Sequence, residues 1–236
     1  MNRTSRRLDP EERFYEEFAP RFDARMNQYD TERRLWVVFD ALLAEEDLQG
    51  RALLDAGCGT GWFSRAAANR GARVFSMDVG PKLLRETARK CVSRRVIGDL
   101  LQTGFCDDSF DCVVASDVIE HTADPRRALS EILRVLKPGG CAVVTVPNRL
   151  WKPALWIARA LRVRPYEGHE HWVGPCALLR WLKEEGGVVE EQRGLHLFPF
   201  VFSFTHPLLR LLDRAGALLY ALSVNLCVRV RKGPAS

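Results

Sequence analysis

The chain has 236 residues, 47% of them hydrophobic and 28% charged, with a formal net charge of +5. Such a composition supports a sizeable core and excludes a wholly disordered chain, and the length suits one large domain or a domain with a cap. The charge is too mild to point to nucleic acid; its excess at Arg3, Arg6 and Arg7, and at Lys152, Arg159, Arg162 and Arg164, reads as solvated surface or as attraction to an anionic surface such as a membrane.

Residues 9–47 read as helical, because Phe14, Tyr15 and Phe18, then Leu35, Trp36, Val38, Phe39 and Leu42, recur at helical spacing among charges. Residues 51–55 form a short apolar strand, followed by a glycine turn and a helix over 61–70. A second strand spans 72–78. Pro81, tolerated in a first helical turn, opens a helix over 80–90. A third strand falls within 92–99, and residues 110–116 form a fourth. Asp124-Pro125 opens a helix over 125–136, which Lys137-Pro-Gly-Gly140 stops; residues 141–146 form a fifth strand. From 150 to 173 the chain turns aromatic and basic. Helix, strand and helix signals resume from 175 to 221, and residues 224–231 alternate as an edge strand does.

Strands that are nearly continuous apolar runs, alternating with helices, predict a doubly wound, mostly parallel α/β sheet with helices on both faces. The seven cysteines are scattered and never spaced C-x-x-C, as reduced thiols in a cytoplasmic chain would be. The first residues contain no apolar core of a signal peptide, and no run of about 18 apolar residues reads as a spanning helix.

The central motif is Asp55-Ala-Gly57-Cys58-Gly59-Thr60-Gly61, placed between a strand and a helix as a nucleotide-binding turn must be. Trp62 stands where a dinucleotide fingerprint needs a small residue for close helix–strand packing, and Asp55 would repel a pyrophosphate. Asp55 suits instead the turn's amides or the ammonium end of a zwitterionic ligand. Asp78 ends the second strand, where a carboxylate can accept both hydroxyls of a ribose, and Asp99 can bond the exocyclic amine of an adenine. Each of these acids can equally be a turn or helix cap.

These residues resemble motif I and its successors in the class I S-adenosylmethionine-dependent methyltransferases. The resemblance continues through Asp108–Ser116, Asp117-Val-Ile-Glu-His121, Asp124-Pro125 and Leu133–Gly140, so it covers residues 51–147 closely. The subgroup it is most similar to is the ubiquinone-biosynthesis O-methyltransferase type. It implies a seven-stranded sheet with an antiparallel last strand and S-adenosyl-L-methionine as methyl donor. It places Asp55, Gly57, Cys58, Gly59, Thr60 and Gly61 around the donor's methionine part and Asp78 on its ribose. Val79, Leu83, Asp99 and Leu100 would surround the adenine, with Ser116 and Asp117 beneath the sulfonium. The chain is expected to divide into an N-terminal helical cap over 1–48 and a methyltransferase domain over 49–236, with lid insertions at 150–173 and 195–222.

Methyl transfer to an oxygen benefits from a general base near neutral pH, which histidine supplies. His121, after the fourth strand, is one candidate; it can equally be a structural histidine. Tyr166, His169 and His171, in the loop after the fifth strand where the family builds its lid, are the others. In quinone-pathway relatives the pattern matched by Asp117, Glu120 and His121 is associated with a divalent cation, although packing or capping accounts for the same residues. His196 and His206 show no evident partners. The amphipathic run from Trp151 to Val163 and the apolar stretch from Leu195 to Leu222 read as core, as a homodimer seam, or as segments lying in the inner membrane interface. The expected acceptor is therefore a small apolar or lipid-like molecule, methylated at oxygen; the alternatives are carbon or nitrogen transfer, or a silent donor-binding subunit. A nucleic-acid substrate is not expected, since the fourth strand does not end in an Asn-Pro-Pro-aromatic tetrad.

Overall fold

The computed structural model describes residue 23 and residues 26–153, 171–200 and 202–233. The strands are β1 (Ala52–Ala56), β2 (Arg73–Asp78), β3 (Arg94–Ile97), β4 (Phe110–Ser116), β5 (Leu136–Pro147), β6 (Gly187–Leu195) and β7 (Asn225–Lys232). They form one open sheet in the order β3-β2-β1-β4-β5-β7-β6. The strands from β3 to β5 pair in parallel, and β7 runs antiparallel to both β5 and β6.

Alternation along the buried strands divides the core in two. Leu54, Val113, Val144 and Val228 face one layer, against Leu129 and Ile132 of α4 (Pro125–Val135) and Leu178 and Leu182 of α5 (Pro175–Glu184). Leu53, Val114, Val143 and Cys227 face the other. That layer holds Phe63 of α2 (Trp62–Ala68) and Val37, Phe39 and Leu42 of an N-terminal helix, in which α1 (Gln28–Leu35) widens into a π-type turn over Trp36–Leu42. The helix α3 (Pro81–Lys90) begins at Pro81 and buries Leu83, Leu84 and Thr87. Asn27 and Asp124 cap α1 and α4 by accepting hydrogen bonds from the Asp30 and Arg127 amides. Between β6 and β7 lie α6 (His206–Arg214) and α7 (Gly216–Leu219).

Two expectations need correcting. First, β7 is not an edge strand: its alternating Arg229 and Arg231 mimic a solvated face, but Glu46 and Glu190 neutralise both, and β6 takes the edge. Second, β5 begins at Leu136, directly after α4, and not beyond the glycines. Leu136 pairs with Phe110, and the register then shifts before Cys112. Gly140 permits this, since a Cβ there would lie 2.9 Å from the Lys137 carbonyl and 3.0 Å from that of Asp111. All seven cysteines are free thiols; those of Cys112 and Cys141 lie 3.9 Å apart on paired strands. Among the described residues, no helix is long and apolar enough to cross a membrane.

Candidate active site

The glycine turn joins β1 to α2 at the carboxyl edge of the sheet. Its bends are left-handed, with φ of +70° at Gly57, +52° at Gly59 and +88° at Gly61. At two of them the surroundings also require glycine: a Cβ at Gly57 would lie 2.3 Å from Val118 Cγ2, and one at Gly61 would lie 2.9 Å from Thr87 Cα. The Gly57 and Cys58 amides both donate to the Met77 carbonyl at 2.9 Å, tying the turn to β2. Asp78 completes that tie: one carboxylate oxygen accepts from the Gly59 amide and the other from the Gly80 amide, both at 2.9 Å. Asp78 is therefore fixed beside the turn.

Asp55 is 1% exposed and turns beneath the loop. It accepts from the Ser64 hydroxyl at 2.6 Å and from the Ser64 backbone, and Ser64 contacts Ser76 at 2.7 Å. Burial pushes the Asp55 carboxyl up to about 7, although Ser64 favours its charged form. It thus holds Ser64, in the first turn of α2. The Cys58 thiol, also buried and close to Asp55 and Asp78, is pushed up and stays protonated. Val79 is half-buried, and Leu83 and Leu100 are buried beneath the surface. Asp99 accepts from the Leu101 amide at 2.8 Å.

The Trp62 side chain obstructs nothing. It turns outward beneath Arg65 and Lys90, 4.4 Å and 4.7 Å from the ring centroid, and Gly61 makes the close helix contact. The Trp62 indole, the Thr60 hydroxyl and Lys90 converge on Asp23, an N-terminal residue that sequence reasoning missed. They hold the Asp23 carboxyl below its usual range against the opposing effect of burial.

The second half of the site lies at the ends of β4 and β5. Ser116 contacts Thr145 at 3.0 Å. Asp117 has a left-handed φ of +49°, uncommon for a side-chain-bearing residue. Its amide donates to the Thr145 carbonyl at 3.0 Å, and the Thr145 hydroxyl donates to Oδ1 at 2.7 Å. The other oxygen, Oδ2, accepts from Arg34 at 3.0 Å and from Asn225 at 3.4 Å. Arg34 is buried and reaches Asp30 at 3.0 Å on its other side. Asp30 meets His196 Nε2 at 3.2 Å, and the His196 amide donates to Asp213, which pairs with Arg33 at 2.9 Å. Burial pushes the Asp30 carboxyl up, but Arg34 and His196 more than offset it and hold it below its usual range. His206 stacks on Tyr29 at 3.6 Å. His196 and His206, which show no partners in the sequence, are thus anchor points between the N-terminal helix and the β6–β7 insertion.

His121 lies half-buried on a helical turn after β4, 3.9 Å from Glu120. His171 is exposed, and its amide donates to the Glu120 carbonyl at 2.8 Å, so the described end of the 150–173 segment docks on the His121 turn. Tyr166 and His169 lie outside the described residues. Asp117, Glu120 and His121, the pattern associated with a cation in quinone-pathway relatives, are not grouped as metal ligands: among the described residues, no three His, Cys, Asp or Glu side chains are placed to hold a metal ion. Ser116 and Asp117 were expected in this half; Arg34, Asp30 and His196 were not, although Arg34 stands as the i+4 partner of Asp30 on one face of α1.

Residues 54–144 match the family model described as a methyltransferase domain. An uncharacterized methyltransferase of Mycobacterium leprae is 30% identical over 158 residues, covering 64% of this chain and 54% of the relative, so the chain spans about half the length of that curated relative. A ubiquinone biosynthesis O-methyltransferase of Xanthomonas oryzae is 31% identical over 183 residues, covering 70% of this chain and 74% of the relative. Among solved structures, the magnesium protoporphyrin IX methyltransferase of Synechocystis, with bound S-adenosylhomocysteine, superposes with a TM-score of 0.66 at 17% identity, over 94% of this chain and all of the other.

Proposed function

This chain belongs to the class I S-adenosylmethionine-dependent methyltransferases, and from that premise we propose that it transfers a methyl group from S-adenosylmethionine to oxygen on a small, apolar or lipid-like acceptor. The observation that carries the reading is Asp78, clamped by the Gly59 and Gly80 amides at the strand ends, where a carboxylate suits the two hydroxyls of a ribose. The left-handed bends at Gly57, Gly59 and Gly61 let backbone approach a ligand closely. Cys58 and Thr60 complete that cradle. Val79, Leu83, Leu100 and Asp99 take the adenine side, and Ser116 and Asp117 the methyl side. Bound there, the donor supplies a methyl group already activated as a sulfonium. The protein's own task is to align the acceptor with it, exclude water and take up the acceptor's proton. His121 takes that proton, and Tyr166, His169 and His171 close over the acceptor.

Residues 1–48, 150–173 and 195–222 form the cover of the site. Asp23 across the glycine turn, and α1 bonded to both Asp117 and the β6–β7 insertion, support this. The apolar acceptor is supported by the insertion's surface, where Phe204 is 80% and Leu218 90% exposed and Phe202, Leu208 and Leu211 also face solvent. Transfer to oxygen is supported by the names of two curated relatives, the ubiquinone biosynthesis O-methyltransferases and a malonyl-[acyl-carrier protein] O-methyltransferase of Serratia marcescens. The test is incubation with methyl-labelled S-adenosylmethionine and a membrane lipid extract. The expected result is label in an apolar product whose new methyl is alkali-stable as an ether, absent with Asp78→Ala. Donor binding without transfer to any extract fraction would overturn the proposal in favour of a silent subunit.

A further inference from the structure

We propose that the Arg34 guanidinium takes the place of a divalent cation beside Asp117, making the acceptor side of the site metal-independent. This rests on the reading above, in which the turn from Asp117 to His121 faces the acceptor. The sequence pattern of that turn offers two acids and a histidine in five positions, a donor set a hard cation could use. The structure spends it differently. Both oxygens of the Asp117 carboxylate are engaged, Oδ1 by the Thr145 hydroxyl and Oδ2 by Arg34 and Asn225. The guanidinium is buried and held from both ends, by Asp117 and by Asp30, each at 3.0 Å, and it also feels the charge of Glu120.

A magnesium ion bonded to Asp117 Oδ2 at about 2.1 Å would lie no farther than about 5 Å from the Arg34 nitrogen on the same oxygen. Arginine does not shed its proton to relieve that repulsion. It could only move away, and leaving would take from buried Asp30 the cation on its Oδ2 oxygen. Magnesium also keeps several waters in near-octahedral array, which a side chain packed against Asp117 denies it. The residues present therefore do not fit a divalent cation. Arg34 supplies the compensating positive charge from the N-terminal helix. It is a positioning residue: through Asp117 it fixes the left-handed entry to the turn that carries His121 and on which the His171 backbone rests.

The test uses manganese as the probe, titrated into the full chain and followed by electron paramagnetic resonance, with melting temperature read in magnesium and in chelator. The wild type should take up no manganese below about 1 mM and melt at the same temperature in both buffers. Arg34→Met, which keeps the length and removes the charge, should bind manganese at least about tenfold more tightly and be stabilised by magnesium. Arg34→Lys should behave as the wild type. Wild-type binding at micromolar manganese, wild-type melting raised by magnesium, or a folded Arg34→Met variant indifferent to both ions would overturn the proposal. If Arg34→Met does not fold, the wild type and Arg34→Lys decide it. Stabilisation by S-adenosylhomocysteine, measured on the same wild-type sample, reports separately on the methyltransferase reading: its absence sinks that reading whatever the ions do.

Discussion

Two buried carboxylates flank the carboxyl edge of the sheet, and their surroundings hold them in opposite states. Asp55, under the glycine turn, meets the hydroxyl and the backbone amide of Ser64, and burial raises it to about 7. Asp30, on the far side of β4, sits between Arg34 and His196 and is held low. The half of the site proposed to hold the donor is built mainly from backbone turns and neutral donors close in sequence, with Asp78 and the Asp23–Lys90 pair beside the turn. The acceptor half is built from ions brought together from distant parts of the chain: Arg34 and Asp117 are 83 positions apart, and Asp30 and His196 are 166 apart. Neutral local geometry and long-range ion pairing should therefore fail under different conditions.

The largest effect should appear with pH. A carboxyl raised in the folded state binds its proton more tightly there than in the unfolded chain, where it titrates near 3.9. The stability that Asp55 contributes is fully present below about pH 4 and lost as pH rises towards 7, by at most about 4 kcal/mol. Asp30 has the opposite sign: its contribution is present at neutral pH and lost on acidification below the ordinary carboxylate range. Urea melts of Asp55→Asn at pH 5 and pH 8 should show the wild-type fall between them flattened. A fall that persists unchanged would mean that the donor half is not built around a neutral acid.

Removing Asp78 should be next. Charge-assisted hydrogen bonds are worth roughly 1.5–3 kcal/mol each, so Asp78→Ala should weaken S-adenosylmethionine binding by at least about a hundredfold in calorimetry. His196→Ala then tests the other half. It leaves buried Asp30 short of a partner, for about 2 kcal/mol of stability in urea melts. Donor affinity should stay within about twofold, because no described partner of His196 belongs to the glycine turn. A hundredfold loss of donor binding in His196→Ala would erase the distinction between the halves.

The same distinction decides what was legible in the sequence. Strand β4 has the ends its apolar run implies, the glycine turn and Asp78 belong to a motif whose residues are near in the chain, and the antiparallel last strand is as the family resemblance implies. Arg34, Asp30 and His196 were not legible as a site, because a charge on an amphipathic helix reads as solvated until something packs over it. The β7 arginines misled for the same reason, since Glu46 and Glu190 lie far from them in the chain. Trp62 misled differently: its identity was plain, but its direction depended on Asp23, Arg65 and Lys90.

The smallest prediction concerns the place where the halves touch. Gly57 ends the donor half's first strand turn, and Val118 follows Asp117 in the acceptor half; a Cβ on Gly57 would enter the Val118 side chain. Gly57→Ala alone carries two costs, backbone strain at a φ of +70° and this collision. Val118→Ala can relieve only the second. The double variant should therefore recover about 1 kcal/mol relative to the sum of the single changes, while donor affinity stays reduced because the strain in the turn remains. Strictly additive effects would mean that the glycine is needed for φ alone and that the two halves meet without constraining each other. A recovery of donor affinity along with stability would mean the reverse: the collision, and not the bend, is what the glycine avoids, and the acceptor half sets the shape of the donor's cradle.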